Sequence, residues 1–157
     1  MRKCLVSILL ASAVIIAGQA AAAPAIPLGA RLGYTHDDGL DQFHVGGHAR
    51  VAEFTRNVFL QPSVELGFGD DATLLAFNGD LFYDFTEFAT SQWTFYAGGG
   101  IVLSYFERGG FDDWNFGLDL AGGAGYHVSP GTRVFGEIRI GLEDTPDLKL
   151  TAGVTFF

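Results

Sequence analysis

The chain has 157 residues, a formal net charge of −9 and 48% hydrophobic residues. This length is enough for one domain and too short for two once an N-terminal targeting segment is set aside. Nucleic acid is an implausible partner for so acidic a surface, because its phosphates would be repelled.

The chain begins with the features of a secretory signal peptide. Met1-Arg2-Lys3 is basic, residues 5–17 are apolar, and small residues fill positions 20–23. The apolar run is shorter than the roughly 20 residues that a membrane-spanning helix needs. We therefore predict a cleaved signal peptide over residues 1–23 and a mature domain over residues 24–157. Cys4 leaves with the signal, which excludes disulfides and thiolate metal sites from the mature chain.

Eight segments of alternating apolar and polar residues follow, and each predicts a strand. In the last segment, apolar residues occupy every second position from Leu148 to Phe156. The positions between them, from Lys149 to Thr155, hold polar or small residues. Turn residues such as Ser129-Pro130-Gly131 separate the segments. The predicted strands run approximately over residues 28–35, 42–53, 59–68, 73–85, 93–106, 114–128, 132–142 and 148–157.

Eight strands joined by short turns predict an antiparallel meander, and closing it into a barrel removes both sheet edges. A soluble barrel would turn its apolar face inward, whereas a membrane barrel turns it outward. The polar face carries five cations and five carboxylates, a balance that suits a narrow lumen in which each charge needs a partner. The sequence thus predicts an all-β fold: an eight-stranded antiparallel up-and-down transmembrane β-barrel with a polar lumen and a lipid-facing apolar exterior. The predicted lumen ion-pair network comprises Arg31, Arg50, Glu65, Asp80, Asp84, Asp119, Arg133, Glu137, Arg139 and Lys149.

Aromatic residues on the apolar face gather towards the strand ends. Two such belts around an apolar band are typical of bilayer-spanning barrels, because amphipathic rings favour the membrane–water interface. One belt is predicted from Tyr34, Phe43, Phe68, Tyr105 and Trp114, and the other from Tyr83, Phe85, Trp93, Phe95, Tyr126 and Phe156.

The first, third, fifth and seventh connections between the predicted strands hold eleven acids against Arg108 alone. If both termini are periplasmic, as an even strand count requires of a chain that arrives from that side, this acidic rim faces outward. Its carboxylates are weak candidates for divalent cations that bridge lipopolysaccharide phosphates, although no loop has the spacing of a calcium motif. Surface charge and solubility remain the simpler interpretation. The candidates are Asp37, Asp38, Asp70, Asp71, Asp112, Asp113, Asp144 and Asp147.

The chain resembles the eight-stranded outer-membrane barrels of Gram-negative bacteria, the group that includes the OmpA transmembrane domain and the opacity-type adhesins. The resemblance rests on glycine–aromatic strands such as residues 95–100, on the hairpin of residues 126–139, and on the terminal Phe157. It implies location in the outer membrane, contact with outer-membrane lipids and lipopolysaccharide, and handling by periplasmic chaperones and the barrel-insertion machinery. An unknown extracellular ligand is possible. Fold resemblance does not assign an activity.

The leading hypothesis is a structural or surface-interaction protein with no catalytic residue, no cofactor and a lumen closed by ion pairs. The alternatives are a narrow conduit for a small solute and, less favoured, a hydrolase acting on lipid A. The hydrolase would use His127, Ser129 and Glu137, but a turn serine and a lumen histidine explain two of these residues without catalysis. His44 and His48 lie about 13 Å apart on one strand face, too far to share a metal ion.

Overall fold

The computed structural model describes residues 26–37, 40–69, 72–143 and 145–157. The predicted signal peptide over residues 1–23 lies outside these ranges, as do Asp38, Asp70, Asp71 and Asp144. Among the described residues, no helix is long and apolar enough to cross a membrane.

Nine strand segments form one sheet in which every pairing is antiparallel. The first segment pairs with both the second and the last, so the sheet closes on itself. The second and third segments are two parts of one barrel strand, since both pair with the fourth. The predicted eight-stranded closed barrel is therefore confirmed. The segments are β1 (Leu28–Asp37), β2 (Leu40–Ala49), β3 (Ala52–Thr55), β4 (Val58–Gly69), β5 (Ala72–Asp84), β6 (Trp93–Arg108), β7 (Phe111–Ser129), β8 (Thr132–Glu143) and β9 (Leu148–Phe156).

The strand ends differ from the sequence prediction by at most three residues, and one predicted strand is broken in two. The second strand, predicted as continuous, is interrupted between β2 and β3 at Arg50 and Val51. Leu28 and Ala49 are the last paired residues of β1 and β2. Next to them lies Pro27, the residue before β1, whose carbonyl accepts a 2.9 Å hydrogen bond from the Arg50 amide. Proline has no N–H to donate to the Arg50 carbonyl, so the hydrogen bonding between β1 and β2 ends at this position.

Polar and apolar side chains are distributed between the two faces of the sheet as a membrane-spanning barrel requires. In β8, Arg133, Glu137 and Arg139 are buried inside the barrel, whereas Ile138 and Ile140 are more than half exposed on its outside. A water-soluble domain places large aliphatic side chains inside and leaves charged ones at the surface. The opposite sorting confirms the predicted polar interior and apolar exterior.

The barrel has two distinct ends. The end formed by the turns β1–β2, β4–β5, β6–β7 and β8–β9 is here called the acidic rim, and the end where β1 begins and β9 ends is called the terminal rim. At the acidic rim, Gly109 and Gly110 connect the two longest strands with φ values of 58° and 90°. Two central residues with positive φ are typical of the tight turn that matches the twist of a hairpin, and glycine adopts this conformation without a steric penalty.

Candidate functional site

The lumen contains a central ion-pair network organised around Arg139. Its guanidinium donates to Asp80 at 2.7 and 2.9 Å, to Asp119 at 2.7 and 2.9 Å, and to Glu137 at 3.2 Å. The two aspartates lie on β5 and β7, so one side chain from β8 crosses the lumen and links three strands. A planar guanidinium with five donors is suited to this arrangement, because it can bind several carboxylate oxygens at once.

A second arm of the central network joins the opposite wall. Arg31 on β1 donates to Glu137 at 2.9 Å and forms an ion pair with Glu65 at 3.2 Å. Lys149 on β9 also pairs with Glu65, the carboxylate it shares with Arg31. The central network therefore contains three cations and four carboxylates drawn from β1, β4, β5, β7, β8 and β9. These pairs tie together strands that are distant in sequence.

The remaining charges of the predicted network lie apart from this centre, near the terminal rim. Arg50 donates to Asp84 at 2.6 Å and stacks over the ring of Phe59, with its Cζ 3.4 Å from the ring centroid. Arg133 forms no ion pair with any carboxylate of the described residues. The ten predicted residues thus divide into a central group of seven and a group of three, here called the terminal mouth: Arg50, Asp84 and Arg133.

A layer of aromatic side chains separates the central network from the terminal mouth, and sequence reasoning missed it. Phe59 and Phe82 are each 1% exposed, and their ring centroids lie 5.6 Å apart. Tyr96 packs edge-on against Phe82 at 5.1 Å and donates its hydroxyl to Glu137 at 3.1 Å. Phe135, also buried, faces the His48 ring at 5.3 Å. The alternation could have revealed Phe59, because it lies two residues before the inward-facing Gln61.

Glycines on the inward face make room for these rings. A Cβ atom at Gly153 would lie 2.6 Å from the Cζ of Phe135, and one at Gly123 would lie 2.6 Å from the Cζ of Tyr96. Real Cβ atoms do not approach neighbours so closely, so the large side chains fit because the opposing positions have none. The many glycines of the sequence thus belong to the packing of the lumen.

The two inward histidines are bound by threonine hydroxyls. His44 contacts Thr35 at 2.9 Å and Thr151 at 3.1 Å, while His48 contacts Thr155 at 2.9 Å. Within the described part of the chain, no group of three or more His, Cys, Asp or Glu side chains has metal-site geometry. Threonine hydroxyls thus contact both ring nitrogens of His44 and the Nε2 of His48, whereas the buried His48 Nδ1 has no hydrogen-bond partner among the described residues.

A small cavity lies in the half of the lumen towards the acidic rim. This cavity, lined by Asp119, Arg139 and Lys149, below Thr145 and Pro146, has about 10 Å³ open to the centre of a water molecule. That is room for about one water.

The predicted belt residues occupy the outer face near the two rims. At the acidic rim, the Tyr34 and Phe43 rings lie 5.8 Å apart, and those of Tyr105 and Trp114 lie 5.2 Å apart. Phe68 is the cross-strand partner of Phe43. The terminal rim holds three further ring contacts, formed by Tyr83 with Phe85 at 5.2 Å and by Trp93 with Phe95 and Tyr126 at 6.3 and 5.0 Å.

The side chains of the last two residues, Phe156 and Phe157, point in different directions. Phe156 is 54% exposed on the apolar outer face. Phe157 follows in the inward phase, where its ring lies 6.0 Å from that of His127 and 5.2 Å from the Cζ of Arg133. Phe156 therefore belongs to the outer face and Phe157 covers the terminal mouth.

The acidic rim is only partly within the described residues. Of the eight candidate cation ligands, Asp37, Asp112, Asp113 and Asp147 are described, and the other four lie outside. The rim also holds an exposed pair in which His36 Nδ1 lies 2.7 Å from Asp41 Oδ1. Hydrogen bonding and charge attraction from Asp41 raise the pKa of His36 above its usual value of 6.5, and the same hydrogen bond lowers the pKa of Asp41.

The three residues of the hydrolase alternative are dispersed. Ser129 is exposed at the end of β7, and Glu137 is buried in the central network. His127 is opposite Arg133 in the strand register, whereas Glu137 is opposite Gly123. Four residues along a strand span about 13 Å, well beyond a hydrogen bond between His127 and Glu137. The geometry does not form a catalytic triad.

No protein-family model matches this chain, and no curated protein matches it either. Solved structures with the same architecture do match. Neisserial surface protein A is 18% identical with a TM-score of 0.65, and the match covers 83% of this chain and 94% of that one. The N-terminal β-barrel domain of Pseudomonas aeruginosa OprF is 15% identical with a TM-score of 0.61, covering 83% and 96%. The outer-membrane enzyme PagL is 15% identical with a TM-score of 0.51, covering 83% and 97%.

The TM-scores show a shared fold, and identities of 15–18% leave the activity open. The closed barrel, its inverted sorting of polar and apolar residues and the structural matches agree. The chain has the fold of the eight-stranded outer-membrane β-barrels of the OmpA and opacity type.

Proposed function

We propose that the chain is an integral outer-membrane protein with a structural or surface-interaction role, without catalytic activity, whose lumen is closed by ion pairs. The observation that carries this proposal is the path of Arg139, which crosses the lumen to Asp80 and Asp119 on two other strands. The aromatic layer of Phe59, Phe82 and Tyr96 lies below it as a second obstruction. An interior filled by charged pairs and rings supports anchoring and display more than transport.

The proposed orientation places both termini in the periplasm and the acidic rim outside the cell. Outer-membrane lipids and lipopolysaccharide would then contact the apolar exterior, and the exposed acids Asp112 and Asp113 would meet the external medium. The matched outer-membrane proteins support this membrane assignment by fold. On the same grounds we propose delivery by periplasmic chaperones and the barrel-insertion machinery.

Planar-bilayer recording separates the closed barrel from a conduit. Protein whose folding has been verified by its shifted migration in unheated detergent gels is incorporated at 1 M KCl. We expect no discrete conductance steps, because ions meet the Arg139 cluster and the aromatic layer. Reproducible unitary steps from the folded protein would refute the closed lumen and favour the conduit.

A separate assay addresses catalysis. Lipid A from cells that overproduce the protein is compared by mass spectrometry with lipid A from cells that carry the empty vector. We expect identical acylation patterns, because His127 and Glu137 lie too far apart to act together. Loss of an acyl chain, abolished by Ser129→Ala, would refute the non-catalytic role.

A further inference from the structure

We propose that the free edge of β7 at the acidic rim, residues 111–117, binds an extended polypeptide segment of alternating basic and apolar residues, which adds to the sheet as a further strand. This inference rests on the surface-interaction role proposed above and names the surface and the chemistry of the partner. It is carried by the strand register, by the direction of the backbone groups along β7 and by the side chains of this edge.

Residues 111–117 of β7 are paired on one side only. Towards β6 the ladder is continuous over this whole stretch. Towards β8 the pairing reaches only Leu118, which lies opposite Glu143, the last residue of β8. The Leu118 carbonyl accepts a 3.1 Å hydrogen bond from the hydroxyl of Thr145, so a side chain replaces the next backbone partner. Within the described residues, no strand therefore covers residues 111–117 on this side.

The direction of the backbone along β7 determines which groups this edge presents. The His127 amide donates at 2.8 Å to a backbone carbonyl on the β6 side. Successive residues of a strand direct their N–H and C=O groups to alternate sides, and the register between β6 and β7 has no shift. Asp112, Trp114 and Phe116 therefore direct these groups away from β6, towards the free edge. The Trp114 amide agrees with this direction, because it donates to the Asp113 carboxylate at 2.8 Å instead of to a backbone carbonyl.

The free edge is accessible from outside the barrel. Asp112, Asp113, Trp114 and Phe116 are all exposed. Trp114 belongs to the aromatic belt of the acidic rim, so the residues between it and the β6–β7 turn lie beyond the bilayer interface, in the external medium of the proposed orientation. A row of backbone donors and acceptors without a neighbouring strand is a template for an added strand, because main-chain hydrogen bonds then supply affinity.

The side chains of the edge specify the chemistry of the added strand. Residues paired across two strands face the same side of the sheet, so apolar residues fit opposite Trp114 and Phe116 on the outer face. Asp113 and Asn115 lie in the inward phase, the one that holds the buried Asp119. A cation opposite Asp113 pairs with its carboxylate and releases the Trp114 amide for the incoming backbone. A second copy of this chain would instead bring the aspartates of two acidic rims together, and like charges disfavour that pairing.

The test uses residues 24–157 folded in a non-ionic detergent, with folding verified by the shifted migration in unheated gels. The probe is a short synthetic peptide of alternating lysine and valine, blocked at both ends, whose binding is followed through the amide NMR resonances of the protein. We expect saturable shifts at Trp114 and Phe116. Hydrogen exchange of the Phe116 amide should slow by about tenfold or more in the complex, because that N–H gains an acceptor.

A modified peptide separates strand pairing from charge attraction. The same sequence N-methylated at every internal residue keeps its charges but cannot donate backbone hydrogen bonds, so it should bind about tenfold more weakly or worse. Equal binding of the N-methylated peptide, or no saturable shift at Phe116, would overturn the proposal. A folded, non-conducting barrel that binds neither peptide would refute this inference and leave the closed lumen intact, so the two proposals fail separately.

A matched pair of variants locates the site on the backbone. Phe116→Pro removes the N–H that points to the added strand and preserves the ladder with β6, because that N–H is not part of it. Phe116→Ala removes the ring and keeps the N–H. We expect Phe116→Ala to weaken binding of the lysine–valine peptide by about threefold or less, and Phe116→Pro to weaken it by about tenfold or more.

Equal affinity of the two variants would contradict backbone pairing at this edge. If Phe116→Pro does not fold, the comparison of the two peptides on the wild-type protein decides. Self-association of the wild-type protein that is lost in Phe116→Pro would assign the edge to a second copy of the chain and overturn the choice of partner.

Discussion

Replacing Arg139 with alanine should cost this barrel much of its stability. Asp80 and Asp119 have Arg139 as their only side-chain partner among the described residues, whereas Glu137 would keep Arg31 and Tyr96. The variant would leave two buried aspartates without a cation. Removing one partner of a buried ion pair costs about 3–5 kcal/mol, because the other charge is stranded. With two carboxylates affected, we expect the free energy of unfolding to fall by about 4 kcal/mol or more.

The measurement is reversible urea unfolding of the protein in lipid vesicles. The fluorescence of Trp93 and Trp114 reports the transition, because both side chains lie exposed on the outer face. Asp112→Ala is the control, since Asp112 is an exposed acid at the rim and should change stability by less than about 0.5 kcal/mol. Equal unfolding free energies for the two variants would refute the reasoning.

A second variant distinguishes two causes of the expected loss of stability, namely the unpaired buried carboxylates and the lost packing of the Arg139 side chain. Combining Arg139→Met with Asp80→Asn and Asp119→Asn removes the cation together with both carboxylates. Complete replacement of a buried ionic group by neutral residues is often close to neutral in stability. We therefore expect the triple variant to recover about 2 kcal/mol or more relative to Arg139→Ala. A triple variant less stable than Arg139→Ala would show that buried charge is not the cause of the loss.

Three further predictions concern single positions. Tyr96→Phe should destabilise the barrel by about 1 kcal/mol in the same urea assay, because a buried carboxylate loses a hydroxyl donor; no change would contradict that role. Gly98→Ala should destabilise it by about 1–3 kcal/mol, because the new Cβ collides with backbone of the adjoining strand, whereas Gly136→Ala, with open space around it, should be neutral. The raised pKa of His36 means that its pair with Asp41 stabilises the fold at low pH and that this contribution is lost as pH rises through the folded-state pKa. Asp41→Asn should lower the His36 pKa in an NMR titration, and an unchanged pKa would argue against the pair.

The barrel was predictable from the sequence because its two faces differ so consistently. A strand that alternates Lys149 and Thr151 with Leu148 and Leu150 has only one orientation in which its polar residues avoid lipid. The same alternation repeats along the chain, and antiparallel neighbours joined by short turns leave little freedom in topology. The strand break at Arg50 was not predictable from alternation, since it depends on where Pro27 falls in the neighbouring strand.

The interior of the barrel was less accessible to sequence reasoning. Phe59 and Phe82 lie in the same strand phase as the inward-facing Gln61 and Asp80. Their outward-facing neighbours are apolar too, so polarity alone does not distinguish the two directions, and only the phase of the strand reveals them. The division of the charges into two groups could not be predicted, because it depends on the stagger between strands. Arg139 meets Asp80 across 59 residues of sequence, and Arg31 meets Glu137 across 106. Charge counting gave a balanced lumen, whereas the structure separates a carboxylate-rich centre from a cation-rich mouth.

Spin-label accessibility measures most directly whether the apolar exterior faces lipid. Residues 24–157 contain no cysteine, so single labels can be introduced at Ile138→Cys on the outer face of β8 and at Asp112→Cys at the acidic rim. In lipid bilayers we expect the label at position 138 to be relaxed strongly by oxygen and weakly by a water-soluble nickel chelate, with the reverse at position 112. A label at position 138 that is readily accessible to the nickel chelate would contradict a membrane-spanning barrel.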